Sequence, residues 1–132
     1  MPRNRRAPLA GRLARRAKLA RNRYDASQIP AHIRAEKATL NDADRDYLRR
    51  KLGAKLGKFA RAVERVSVRI RDVNGPRGGI DKRCAIKVVL TGLPSVVVEE
   101  QQASLRTAMD RAIDRTERAV RRSMKRRTTR AR

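Results

Sequence analysis

The sequence is short of the residues on which most catalytic and structural chemistry depends. Cysteine occurs once, as Cys84, and histidine once, as His32. A lone cysteine excludes an internal disulfide and points to a reducing compartment such as the cytoplasm. One cysteine with one histidine is also too small a set for structural zinc. Tryptophan is absent, and Tyr24, Tyr47 and Phe59 are the only aromatic residues. That removes the stacking platform with which proteins read single-stranded bases. No run approaches the ~18 consecutive apolar residues of a membrane-spanning helix. Acids are scarce too: 13 Asp and Glu stand against 36 Lys and Arg, a formal net charge of +23 in 132 residues.

Such a charge is self-repelling until an anion relieves it, so the natural partner is a polyanion, above all nucleic acid. The basic residues are not spread evenly. From Met1 to Tyr24 there are nine Arg or Lys and no acid. With no apolar segment for secretion and no Ser or Thr of the kind transit peptides carry, this stretch reads as a nucleic-acid-binding arm that orders on contact. The organisation expected is a flexible basic arm over 1–27, one α+β domain over 28–124, and a basic tail over 125–132.

Within the domain the hydrophobic period changes three times. Ile29, Ala31, Ile33 and Ala35 alternate with polar or proline positions, as in an edge strand between Gln28 and Ala35. Asn41 then offers a helix cap, with Asp42, Asp44 and Asp46 near the helix start, and Leu48, Leu52, Leu56, Phe59 and Val63 recur at helical spacing. Val66, Val68 and Ile70 alternate with Ser67, Arg69 and Arg71, a half-buried strand, and Cys84, Ile86, Val88 and Leu90 make a second. The string TGLPS turns the chain into a third run, Val96 to Val98. Leu105, Met109, Ala112, Ile113, Thr116 and Val120 close with a long helix. The order β-α-β-β-β-α predicts a two-layer α+β sandwich, a four-stranded sheet with two helices on one face.

Chemistry concentrates on the helices. Arg111, Arg115, Arg118 and Arg122 recur at spacings of four, three and four and form one ridge. Asp110, Asp114 and Glu117 fall on another side, within reach of i, i+4 pairs Asp114–Arg118 and Glu117–Arg121. On the first helix Lys51, Lys55 and Lys58 line one border of the apolar stripe and Arg45 stands near the other. Guanidinium forks suit bidentate contact with phosphate, and lysine adds point charges. With few aromatics, the recognition expected is of folded RNA through backbone and shape.

No catalytic constellation accompanies this charge. Cys84 falls in a strand facing the core, away from any base, and His32 is a surface residue. Neither an enzyme nor a cofactor is expected. The string DVNGPRGGIDKRC, Asp72 to Cys84, is rich in glycine but leads into a strand, so it is no P-loop. It reads as a hairpin connection of about ten residues, long enough for Arg77, Lys82 and Arg83 to touch a ligand.

Two strings, DADRDYLRRKLGAKLGKF (Asp42 to Phe59) and LRTAMDRAIDRTERAVRR (Leu105 to Arg122), together with the hairpin, resemble the hibernation-promoting factor and ribosome-associated inhibitor family, also called sigma-54 modulation proteins, in its short form. The resemblance spans about Ile29 to Arg122. It implies a bacterial cytoplasmic protein, monomeric off the ribosome, that binds rRNA of the small subunit near the decoding centre and blocks mRNA and tRNA in stationary or stressed cells. The implied rRNA contacts are Arg45, Lys51, Lys55 and Lys58 on the first helix and Arg115, Arg118 and Arg122 on the second. No membrane or small-molecule substrate is implied. The alternatives are a general duplex-RNA or nucleic-acid-binding module and a structural or assembly protein of the ribosome.

Overall fold

The computed structural model describes residues 29–36, 40–76 and 78–131. The arm expected over 1–27, and Arg77, lie outside the described residues. The elements are β1 (Ala31–Glu36), α1 (Asp42–Leu56) with a short 3-10 turn (Gly57–Phe59), β2 (Val63–Asn74), β3 (Ile80–Leu90), β4 (Val96–Gln102) and α2 (Leu105–Ala131). The sheet order is β1-β2-β3-β4. β1 runs parallel to β2, which the intervening α1 permits as a crossover, and β2, β3 and β4 form an antiparallel meander.

Local signals explain the helix starts. The Asn41 side chain accepts a hydrogen bond from the Asp44 amide at 2.7 Å, and Asp42 and Asp44 complement the helix dipole in the first turn. Ser104 caps α2 in the same way, its Oγ accepting from the Thr107 amide at 3.4 Å. α2 continues through the basic segment after Met124 as far as Ala131. At ~1.5 Å per residue it is about 40 Å long.

The core lies between the helices and one face of the sheet. Leu48, Leu52 and Leu56 from α1 and Met109, Ala112, Ile113 and Val120 from α2 pack onto Val66, Val68, Ile70, Cys84, Ile86, Val88, Val96 and Val98. Each large apolar side chain sealed here contributes about 1.5–3 kcal/mol. Thr116 is fully buried in the same layer, and its hydroxyl donates to the Ala112 carbonyl at 2.7 Å, so no polar group is left unsatisfied there. Phe59 packs at the margin of this cluster.

Three expectations need correction. The first strand starts at Ala31 and ends at Glu36 instead of spanning Gln28 to Ala35. The helical spacing of the leucines does not carry the first helix through Val63: α1 stops at Leu56, and Val63 opens β2. Val63 is buried either way, but the run Val66, Val68, Ile70 gains a ladder of hydrogen bonds with β3, which outweighs one more helical turn. The glycine-rich connection is also shorter than expected. Asp72 pairs with Lys82 and Asn74 with Ile80, leaving 75–79 to turn the chain. Gly78 takes φ +87° there, a conformation that glycine adopts without strain.

Candidate nucleic-acid interface

The cationic side chains singled out from sequence occupy four places in the fold. Lys51, Lys55 and Lys58 face α2 across the seam between the helices. Arg111, Arg115, Arg118 and Arg122 are all exposed and follow α2 on the side of β4. Arg45 projects from α1 toward β1, and Lys82 and Arg83 stand at the base of the β2–β3 hairpin. Arg77 lies outside the described residues.

The seam is a ladder of three ion pairs. Lys51 Nζ lies 2.8 Å from Asp110 Oδ1, Lys55 Nζ 3.6 Å from Asp114 Oδ1, and Lys58 Nζ 3.0 Å from Glu117 Oε2. The ladder arises because each helix places its charges three or four residues apart, so adjacent helices bring the rungs into register. The expected Asp114–Arg118 pair gives way to it: Asp114 turns to Lys55, while Glu117 is shared between Lys58 and Arg121, the latter at 3.4 Å. Asp110 is the most heavily engaged acid, since Tyr47 Oη donates to its Oδ1 at 2.5 Å and the Arg106 guanidinium covers the Tyr47 ring at 3.6 Å.

The titration of these groups follows from the contacts. Partial burial opposes the charge of Asp110, but hydrogen bonds from Lys51 and Tyr47 and the attraction of Lys51 and Arg106 outweigh it and hold the carboxyl below its ordinary range. Glu117 is lowered in the same way, burial being overcome by Lys58, Lys55 and Arg121. For Lys51, burial disfavours the ammonium, yet Asp110 more than compensates and its pKa is raised. All three groups are therefore firmly ionised at neutral pH.

Because the acids are drawn into the seam, the opposite flank of α2 is left with unrelieved positive charge. Among the described residues, Arg111, Arg118 and Arg122 have no partner. A shallow depression of about 580 Å³ lies between this ridge and Val97 and Val98 of β4. Arg115 is different, because its Nη1 donates to the Glu99 carbonyl at 2.9 Å and to the Glu100 carboxylate at 2.8 Å. On the other sheet edge Arg45 and Arg49 donate to the carbonyls of Ile33 and Ala31, each at 3.2 Å. Arginines from the two helices thus occupy outward-facing carbonyls of both edge strands, which shields those edges from pairing with another chain.

The hairpin cations are also engaged. Lys82 Nζ is 2.6 Å from Asp72 Oδ1, and Arg83 donates to Gln101 Oε1 at 3.1 Å. Sequence reasoning missed the edge-capping role of Arg45, Arg49 and Arg115 and the Arg106–Tyr47 stack. Each depends on the packing of elements distant in the chain, so no local signal marks it.

Cys84 is fully buried, and burial, with Glu100 nearby, pushes its thiol up to about 12, so it is no thiolate at neutral pH. His32 is exposed on β1. Among the described residues no cluster of His, Cys, Asp and Glu could hold a metal ion, and no helix is long and apolar enough to cross a membrane. A larger cleft, about 850 Å³, lies beside α1 over Leu52, Gly53 and Leu56, with Arg49 and Arg50 at its margin. It contains no acid–base pair.

Comparison with known proteins gives a consistent result. Residues 31–128 match the family model described as sigma 54 modulation protein / S30EA ribosomal protein. The N-terminal domain of Protein Y from Thermus thermophilus is similar at 32% sequence identity, with a TM-score of 0.54, over 71% of this chain and 96% of that one. A ribosomal subunit interface protein from Coxiella burnetii shares the fold at 12% identity, with a TM-score of 0.61 and the same coverage of both chains. No curated protein sequence matches the chain.

Proposed function

Because this chain belongs to the sigma 54 modulation protein / S30EA ribosomal protein family, we propose that it is a ribosome-associated hibernation factor whose finer task is to bind rRNA of the small subunit near the decoding centre. There it blocks the path of mRNA and tRNA. The observation that carries the rRNA reading is the separation of charge on α2. Its acids are consumed by lysines of α1 and of the 3-10 turn that follows it, while Arg118 and Arg122 project from the other flank, exposed and without a partner among the described residues. A ridge of guanidiniums without partners among the described residues, beside a shallow depression, suits phosphate groups of a folded RNA, and the lack of exposed Phe, Tyr or Trp among the described residues favours backbone over base contact.

Within this reading Arg111, Arg118 and Arg122 are the primary phosphate contacts. Arg115 combines such a contact with its hold on β4. Lys51, Lys55 and Lys58 act from the seam, where a phosphate must compete with the carboxylates already present. Arg45 contributes from the β1 side, and Lys82, Arg83 and Arg77 from the hairpin. The basic arm over 1–27 adds non-specific affinity for rRNA. The small subunit is the partner and the working form is a cytoplasmic monomer.

Co-sedimentation in sucrose gradients tests the proposal. The full chain is expected with small subunits and whole ribosomes at physiological salt, and Arg118→Glu with Arg122→Glu is expected to release it while leaving the circular dichroism spectrum unchanged. Absence of the unaltered chain from both fractions would sink the reading. Equal affinity for ribosomes and for free duplex RNA would point instead to a general duplex-binding module.

A further inference from the structure

The face of the sheet turned away from the helices carries a second concentration of positive charge. Its residues are set by the register of the strands. Arg34 of β1 is paired with Arg69 of β2, and Arg71 of β2 with Arg83 of β3, while Lys87 of β3 stands opposite Ser67. Strand alternation sends these side chains outward, since their neighbours Ile33, Val68, Ile70, Cys84, Ile86 and Val88 are all buried against the helices.

Two arginine–arginine pairs directly across strands on one face work against the sheet, because like charges at that spacing repel. The internal relief is small. Glu36 alone serves both Arg69, at 3.4 Å, and Arg71, at 3.8 Å. Arg71 Nε is screened from solvent and has no hydrogen-bond partner. Among the described residues, Arg34 and Lys87 have no partner at all, and both are exposed. Arg83 is held by Gln101, which in turn donates to Asp81, and an anion entering from outside relieves the repulsion that these few internal contacts leave.

We infer that the open face of the sheet is a second phosphate-binding surface, centred on Arg34, Arg69, Arg71 and Lys87, which takes the sugar–phosphate backbone of folded RNA. A protein partner fits less well, because interfaces between proteins are built around buried aromatic or aliphatic anchors, and Val97 is the one large apolar side chain strongly exposed on this face. Single-stranded readout fits less well still, since the described part of the face holds no Phe, Tyr or Trp and offers a base only the single imidazole of His32. With α2 covering the opposite side of the sheet, the domain is gripped by RNA from two sides. This inference rests on the ribosome-bound reading above and adds to it a surface separate from the α2 ridge.

The test compares full-length chains binding purified ribosomes over a series of salt concentrations. Arg34→Gln with Lys87→Gln removes two charges that have no partner among the described residues, so the circular dichroism spectrum is expected to stay unchanged and the melting temperature to hold or rise slightly as the Arg34–Arg69 repulsion is relieved. Affinity is expected to fall about tenfold, and the slope of log affinity against log salt to fall by about 1.5, as the loss of two phosphate contacts requires. Arg34→Lys with Lys87→Arg is expected to restore both. In the unaltered chain, acylation of Lys87, read by mass spectrometry, is expected to be suppressed on the ribosome.

A neutralised variant that binds with unaltered affinity overturns the inference, and if Arg118→Gln with Arg122→Gln still weakens binding, the ribosome-bound reading stands without it. Lost affinity at an unaltered salt slope, the mark of a protein contact, overturns it as well. Failure of the unaltered chain to bind ribosomes overturns both.

Discussion

Lys51 and Asp110 form the tightest rung of the ladder between the two helices, Nζ to Oδ1 at 2.8 Å, and the same oxygen receives the Tyr47 hydroxyl. This pair joins α1 to α2 on the exposed surface of the helical layer and occupies a lysine that would otherwise be free for phosphate. Stability and RNA affinity are therefore coupled through it.

Removing the three acids separates those two effects. Asp110→Asn, Asp114→Asn and Glu117→Gln together are expected to lower stability by about 1–2 kcal/mol, most of it from Asp110, because the Lys55–Asp114 rung is about half exposed and contributes little. The released lysines are expected to raise affinity for any RNA and to steepen its salt dependence. Urea unfolding and binding to ribosomes and free duplex RNA check both outcomes.

Acid should loosen the seam. Asp110 and Glu117 have folded-state values below their ordinary 3.8 and 4.5, so the unfolded chain binds more protons in that range. Their contribution is complete above those ordinary values and is lost as pH falls through them into the lowered range. Urea midpoints are expected to drop below about pH 4.5 in the native chain and to drop less in Asp110→Asn with Glu117→Gln. Lys51 acts in the opposite sense: its raised value keeps its contribution intact at and below 10.5 and loses it only at higher pH.

Arg115 and Arg118 are neighbours on one ridge with different structural attachments. Arg115→Ala is expected to destabilise the fold by about 1 kcal/mol, because the Glu99 carbonyl on the β4 edge loses its donor, and to weaken ribosome binding as well. Arg118→Ala is expected to weaken binding alone. Thermal melts and sedimentation of the two variants distinguish them.

Cys84 serves as an internal reporter. Fully buried, with its thiol pushed up to about 12, it is expected to react with a thiol reagent only as fast as the domain opens. Rapid labelling of the folded chain at neutral pH would contradict the packing of β3 against α2.

Much of the fold is written in local periodicity. Val66, Val68 and Ile70, then Cys84, Ile86, Val88 and Leu90, alternate strictly because one face of each strand is buried, and the same alternation is visible in the chain. Met109, Ala112, Ile113, Thr116 and Val120 mark the buried stripe of α2 in the same way. The end of α1 was illegible because Val63 keeps the helical spacing and is out of phase with Val66, Val68 and Ile70; a register shift between Val63 and Arg65 turns it inward, and only pairing with β3 decides this. The extent of the hairpin was hidden for a related reason: Asp72 and Lys82 look like loop residues until they meet across two strands.

The sequence by itself determined the element order, the buried faces and the segregation of acid from arginine on α2, because each follows from a repeat of two or of three to four residues. Only the tertiary structure decided which cations remain free. Lys51, Lys55 and Lys58 look as available in the chain as Arg118 and Arg122, yet the packing of α1 beside α2 gives the lysines carboxylate partners and leaves the arginines none among the described residues. Charge is carried by single residues, but its availability depends on neighbours distant in sequence, and packing alone sets those neighbours.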